Sequence, residues 1–182
     1  LPVGEYDVTL YGTSVRKNTL DKETLPIFPT HVSDGHPTLG GTLIVSQVPL
    51  LMGGSASRGA SVPVAYVKIS NPGTKAAAIT GFRLSENGTV SEKDAVIGFS
   101  TSDDKGASRT TTYTTFQSGY ALVPLTATIE PGTFRIFTIK ALLSSSGTFY
   151  GKKLQIDVAG IGSTADVKGT LPLKGTTFNF VY

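Results

Sequence analysis

The first residues of the chain alternate between apolar and polar side chains. In LPVGEYDVTLYG, apolar side chains recur at Tyr6, Val8 and Leu10, with polar ones between them. A period of two is typical of a β-strand with one buried face, and it predicts a strand over residues 3–11. Because a strand at the end of a chain still needs hydrogen-bonding partners, its position raises the question of which sheet it joins.

The pattern is irregular from there to about residue 60. A second extended stretch is predicted around residues 13–20. The run LPIFPTHVSDGHPTLGG (25–41) is rich in proline and glycine and predicts a long connection with neither helix nor regular strand. TLIVSQVPLL (42–51) predicts a strand that Pro49 ends or moves to a sheet edge, and MGGSASRGAS predicts a flexible loop. We therefore expect residues 1–60 to form an N-terminal arm with an irregular connection.

Residues 61–182 have a regular pattern of short strands and turns. Turn signals such as Asn87-Gly88 and Pro131-Gly132 separate the apolar runs, and one helical turn is expected at EKDAVIGF. The runs are VPVAYVKIS, AAAITGFRL, AVIGFSTS, SRTTTYTTF, GYALVPLTA, TFRIFTIKALL, KKLQIDVAGI, ADVKGTLPL and TTFNFVY. About ten short strands separated by turns predict an all-β domain, a two-sheet β-sandwich of immunoglobulin-like or jelly-roll type.

Two of these strands have faces that can be assigned from sequence. TFRIFTIKALL is apolar on one face and mixed on the other, which predicts a central strand covered mostly on both sides. KKLQIDVAGI alternates apolar residues with Gln155 and Asp157, which predicts a strand with one solvated face.

Composition narrows the class of protein. There are no cysteines, only 16% of residues are charged, and glycine is abundant, which favours a β protein without disulfides or thiolate metal sites. The net charge of +3 comes from scattered Lys and Arg, so we expect no nucleic-acid partner. No apolar run approaches the roughly 20 residues of a membrane span. The initial Leu1 leads us to expect processing and export, with an extracellular or cell-surface location.

Residues that could carry chemistry are few. His31, Asp34 and His36 could ligate a transition metal, but their spacing matches no metal motif, so a polar surface loop is the favoured interpretation. Asp103 and Asp104 follow a strand that Glu92 and Asp94 precede, so these groups could bind calcium, although solvated turns explain them more simply. Because no nucleophile and base can be paired, we expect no enzyme activity and no cofactor.

Asn87 and several tyrosines suggest contacts with sugars. Asn87 lies in the sequence ENGT, which is an acceptor sequence for an N-linked glycan and also an Asn-Gly hairpin turn. The turn is the simpler interpretation. Tyrosines that could hold a sugar face lie at four positions: Tyr11, Tyr113, Tyr120 and Tyr150.

The region 62–182 resembles a family of surface proteins. The segments KISNPGTKAAAITGFRLSENGT, FQSGYALVPLTATIEPGTFRIFTIKALL and GKKLQIDVAGI are similar in order and turn pattern to immunoglobulin-like β-sandwich units of exported bacterial surface proteins, including those of candidate phyla. The resemblance implies a structural role at the cell surface without an active site. The first sixty or so residues depart from a plain sandwich unit, and they leave room for assembly like that of donor-strand-exchange pilus or biofilm fibre subunits.

The sequence therefore predicts a secreted structural subunit that forms a homopolymer. Its terminal strand would insert into a neighbouring copy through Tyr6, Val8 and Leu10. An alternative terminal strand lies in TTFNFVY, with Phe178, Phe180 and Tyr182 on one side. Other functions left open are the globular head of a pilin that lacks its hydrophobic helix, an adhesin or carbohydrate-binding domain, and a jelly-roll virion coat protein.

Overall fold

A computed structural model of the protein describes residues 11–15, 22–26, 41–48, 53–112 and 116–181. The chain divides into two compact units, Leu1–Thr38 and Leu39–Tyr182.

The first unit contains a strand pair. Strand β1 (Tyr11–Val15) runs antiparallel to β2 (Lys22–Pro26), with Tyr11 opposite Pro26. The connection predicted over residues 25–41 was expected to contain no regular strand, but β2 includes Leu25 and Pro26. These residues were misassigned because proline is tolerated at the end of a strand, where no ladder hydrogen bond is lost.

Most of the strand predicted over residues 3–11 lies outside the described residues. Tyr6, Val8 and Leu10 are all outside the described ranges.

The second unit is built almost entirely of strands. In the described part of this unit the strands are β3 (Leu43–Gln47), β4 (Ser55–Ala56), β5 (Ser61–Ser70), β6 (Ala77–Glu86), β7 (Val96–Asp103), β8 (Ser108–Thr112), β9 (Tyr120–Ile129), β10 (Phe134–Leu143), β11 (Lys153–Leu154), β12 (Ile156–Ser163), β13 (Val167–Lys168) and β14 (Phe178–Phe180). One helical turn, α1 (Glu92–Ala95), lies between β6 and β7. The expected helical turn is confirmed.

These strands form two main sheets and a short third one. The large sheet has six strands in the order β13-β3-β5-β10-β7-β8, and the small sheet has three in the order β12-β6-β9. The third sheet has the order β11-β14-β4. The expectation of an all-β, sandwich-like fold is confirmed, and β10 is central in the large sheet as its apolar pattern indicated.

The core lies between the large and small sheets. Phe82 of β6 meets Phe137 of β10 edge to face, with ring centroids 5.4 Å apart. Strand β9 alternates strictly, so that Ala121, Val123 and Leu125 are buried while the residues between them are exposed. Alternation of this kind places one whole face of the small sheet in the core and the other face outside.

Strand β3 belongs to the second unit. It pairs antiparallel with β5, Val45 lying opposite Ile69, and its side chains Leu43 and Val45 are buried. The arm expected over residues 1–60 therefore includes a strand that is part of the sandwich. The long strand expected over residues 165–173 is short, because only Val167–Lys168 pairs with β3 and Pro172 has no N–H group to extend the ladder.

The C-terminal segment closes one side of the sandwich. The backbone of Leu173 exchanges two hydrogen bonds of 2.9 Å with Val158 of β12, and Thr176 donates its N–H to the carbonyl of Val64 in β5. Further along, β14 lies between β4 and β11, and Phe178 and Phe180 are buried. The alternative terminal strand is thus integrated into the chain's own fold, and Tyr182 lies outside the described residues.

This arrangement corrects the prediction of a solvated face on the KKLQIDVAGI strand. Gln155 is 9% exposed and Asp157 is 6% exposed. The reason is that the C-terminal segment covers them: Asp157 accepts the N–H of Gly175, and Gln155 accepts the hydroxyl of Thr177. Both side chains are polar and buried, and their hydrogen bonds compensate for the loss of water.

Asn71 fixes the turn after β5. Its side chain is fully buried and donates to the carbonyls of Ile129 (2.9 Å) and Lys75 (2.8 Å), while its oxygen accepts the N–H of Gly73. The side-chain amide of Asn71 thereby joins the end of β5, the turn that follows it and the end of β9.

We predict that Asn71→Ala lowers the free energy of unfolding by roughly 2–4 kcal/mol, because several buried backbone groups lose their only side-chain partner. Urea unfolding followed by circular dichroism measures the change. The matched control is Asn179→Ala, because the Asn179 side chain is exposed; it should change stability by less than about 0.5 kcal/mol. Equal effects of the two substitutions would contradict this role of Asn71.

Candidate interaction surface

The acidic groups considered for calcium hold a turn together. Asp103 pairs with the guanidinium of Arg135 and accepts the backbone N–H groups of Lys105 and Ala107. Partial burial acts to raise the pKa of Asp103, but these hydrogen bonds outweigh it and hold the pKa below its usual value. Asp104 accepts the N–H of Ile136. These bonds explain both carboxylates as turn residues.

The remaining metal candidates are not brought together by any described element. His31, Asp34 and His36 fall in a part of the chain outside the described residues. In the ranges that are described, no group of three or more His, Cys, Asp or Glu side chains could hold a metal ion.

Asn87 is held by a buried carboxylate. Its side-chain nitrogen donates to Asp157 at 2.6 Å, and the second oxygen of Asp157 accepts Gln155 and Gly175. A glycan would be attached through that same nitrogen. In the folded chain the nitrogen is already used to join the turn after β6 to β12, which favours the hairpin-turn interpretation.

Glu92 is a buried acid at the start of α1. It is 2% exposed, and its carboxylate accepts the N–H of Gly88 at 3.1 Å. Burial raises the pKa of Glu92 to about 7, and the neighbouring charge of Glu86 adds to the rise. Its partners are the N–H of Gly88 and the carboxyl group of Glu86, and we interpret Glu92 as a group that affects stability.

The outer face of the small sheet is unusually apolar. The outward positions of β9 begin with Tyr120, Leu122 and Pro124, and Leu122 is 71% exposed, the highest value among the large hydrophobic side chains in the described residues. Outward positions of a solvated sheet are usually polar. An exposed apolar cluster of this kind marks a surface that other molecules contact.

This face contains a shallow depression, which we call the small-sheet depression. It has a volume of about 620 Å³. Leu122 and Pro124 line it on β9, Arg83 on β6, and the half-buried Ile161 on β12. Arg83 stacks on the ring of Tyr120, its guanidinium carbon 3.7 Å from the ring centroid, so one cation borders the apolar surface.

Three glycines form the floor of the depression. A Cβ atom at Gly81 would lie 2.7 Å from the carbonyl oxygen of Val123, and one at Gly162 would overlap the hydroxyl of Thr80. The fold therefore requires glycine at both positions. Gly160 is different, because a Cβ there would meet only Arg83, at an ordinary distance of 3.5 Å.

The tyrosines are not gathered in one place. Tyr120 lies under Arg83 on the small sheet, whereas Tyr150 lines a different depression beside Arg58 and Phe180. The side chain of Tyr11 and the whole of Tyr113 lie outside what is described.

Sequence reasoning missed both Glu92 as a buried acid and the apolar face around Leu122. A signal for the face is present in YALVPL, where both alternating sets are apolar. One set enters the core, so the other set must lie outside. No comparable signal marks Glu92, since the turn before it is held by a residue distant in sequence: the carbonyl of Lys153 in β11 accepts the N–H groups of Thr89 and Val90.

Comparison with known proteins does not assign a family. No protein-family model matches the chain, and no curated protein matches it. One similar solved structure is described as "AvmM Catalyzes Macrocyclization in Alchivemycin A Biosynthesis"; it aligns with 8% sequence identity and a TM-score of 0.40, covering 77% of this chain and 89% of that one. Likeness at this level carries no functional argument. Within the described residues, no helix has the length and apolar character needed to cross a membrane.

We predict that the free energy of unfolding decreases as pH rises from about 4.5 to about 7, because Glu92 binds a proton more tightly in the folded chain than in the unfolded one. The contribution is complete below pH 4.5 and is lost as pH rises through the folded pKa. Glu92→Gln keeps an acceptor for Gly88 without the charge, so at pH 8 it should be more stable than wild type by on the order of 1–3 kcal/mol.

Urea unfolding at several pH values tests this expectation. Asp94→Asn is the matched control, since Asp94 lies on the same helical turn and is exposed. If wild type and Glu92→Gln had parallel stability curves from pH 4 to 8, the assigned role of Glu92 would be wrong.

Proposed function

We propose that this protein is a structural subunit of an extracellular filament or cell-surface assembly, in which a terminal strand of one copy binds the sandwich of the next. The partner is another copy of the same chain. The proposed role is structural, and in keeping with it Asp103, Asp104 and Asp157 accept hydrogen bonds that hold turns and the C-terminal segment.

The observation that carries the proposal is the unpaired edge of the small sheet. Strand β9 extends over ten residues, Tyr120–Ile129, contains no charged side chain, and pairs with β6 on one side; no further strand follows it in the sheet, within the described residues. Natural sheets usually protect such edges with charges, proline or short strands; β9 has one of these features, Pro124. A long uncharged edge beside an apolar face is suited to binding an extended segment.

One of the two terminal strands is already paired within the chain's own fold, and this decides which of them is the favoured donor. The C-terminal strand β14 is hydrogen-bonded between β4 and β11, with its phenylalanines buried. Releasing it would expose these aromatic side chains and open the side of the sandwich. The segment of residues 3–11, called the N-terminal segment below, is therefore the favoured donor, as its alternation of Tyr6, Val8 and Leu10 predicts.

We predict that Tyr6→Ser/Val8→Ser/Leu10→Ser abolishes assembly while leaving the sandwich folded. The substitution removes the apolar face of the N-terminal segment and leaves its backbone and its charges intact. Analytical ultracentrifugation over a range of concentrations, together with negative-stain electron microscopy, compares it with the wild-type chain, which should form filaments.

The matched control changes the opposite face of the same segment without removing a charge, in Thr9→Ser, and should assemble as wild type does. Closed shells in the micrographs would favour a coat protein over a filament subunit. A wild-type chain that is monomeric under all conditions would show that the proposed function is wrong.

A further inference from the structure

We propose that the small-sheet depression is the site that binds the N-terminal segment of a second copy. This inference rests on the proposed function and assigns the acceptor surface within it. One copy would contribute the alternating side chains of residues 3–11, and the next would contribute Leu122 and Pro124.

The first support is the glycine at position 160. Glycine in the interior of a strand is unfavourable, and it marks a bulge, a bend or a close approach of another backbone. Gly160 lies at the register irregularity that follows Val158 in β12. Inside the chain a Cβ at this position would meet only Arg83, at van der Waals distance, and Gly160 has no positive φ that would favour glycine. Because Gly160 has no side chain, there is open space at this position on the outer face. An incoming strand would use that space.

The second support is the match in shape between segment and surface. Side chains two residues apart on one face of a strand are about 6.6–6.8 Å apart. Leu122 and Pro124 are themselves two residues apart on the outer face of β9. Neighbouring apolar side chains of the segment, such as Val8 and Leu10, therefore have the same spacing as the side chains they would contact.

The third support is charge. The N-terminal segment contains Glu5 and Asp7 and no Lys or Arg. The charged side chain that lines the depression is Arg83, whose guanidinium already lies over Tyr120. An apolar floor bordered by a cation suits a segment whose two faces are apolar and acidic.

The length of the connection allows the segment to reach a neighbouring copy. Residues 27–40 lie between the end of β2 and the first described residue of the second unit, Gly41. Fully extended, this connection spans at most about 50 Å. A compact domain of this size has a radius of gyration of about 14–15 Å, so the connection exceeds its diameter.

A mixing experiment with full-length chains tests the inference. Gly160→Val fills the depression and leaves the N-terminal segment intact, whereas Tyr6→Ser/Val8→Ser/Leu10→Ser removes the donor and leaves the depression intact. Each variant alone should be monomeric, with the onset of assembly raised at least about 30-fold in concentration. Mixed at equal amounts, they should form a species of twice the monomer mass that grows no further, because the pair retains one donor and one acceptor.

Two controls separate binding from folding. Gly160→Val should melt at or above the wild-type temperature, since a β-branched residue suits a strand and finds space here. If it melts lower, Leu122→Ser provides the second acceptor variant, because Leu122 is already exposed. Thr126→Val lies on the same outer face of β9 beyond the depression, and Ile44→Ser removes an exposed apolar side chain from β3; both should assemble as wild type does.

The outcomes distinguish the inference from the proposed function. If the wild-type chain assembles and the folded Gly160→Val or Leu122→Ser chain assembles equally well, the acceptor lies elsewhere and the inference is wrong while the proposed function stands. If the two blocked variants fail to form the mixed dimer, the contact is not an exchange between donor and acceptor, and the inference is also wrong. A monomeric wild type would overturn both.

Discussion

The contact between Phe82 and Phe137 joins the small sheet to the large one, and the outer surface of the small sheet follows from it. Because side chains alternate along a strand, placing Phe82 and Val123 in the core places Arg83 and Leu122 outside. Register irregularities in β6 and β12 lie beside this surface, at Gly81 and Gly160. The apolar outer face is thus a consequence of the same register that builds the core.

The fold class could be predicted from sequence because its signals are local. Apolar alternation and turn residues such as Asn71 mark most of the long strands without knowledge of their partners. Which residues form the outer face could not be predicted in the same way, because Leu122 and Val123 are both apolar and either could face the core. Only the pairing of β9 with β6 decides between them.

The buried polar groups depend on contacts distant in sequence, which explains why their burial was missed. Asp157 alternates with apolar neighbours, as a solvated residue would, yet it accepts hydrogen bonds from Asn87 and Gly175. The first lies on the turn after β6 and the second in the C-terminal segment. Neither is near Asp157 in the chain, so a pattern over ten or so residues contains no information about them.

Of the three glycines in the depression, the fold of a single copy requires two and does not require the third. Gly81 and Gly162 lie where a side chain would strike the backbone or a hydroxyl of the same sheet, so the fold alone explains them. At Gly160 the fold alone would accept alanine, which in a strand interior is more stable than glycine by roughly 0.5–1 kcal/mol. Gly160 lies at the bulge of β12, where glycine is common, and its missing side chain leaves space on the outer face that the proposed contact would use.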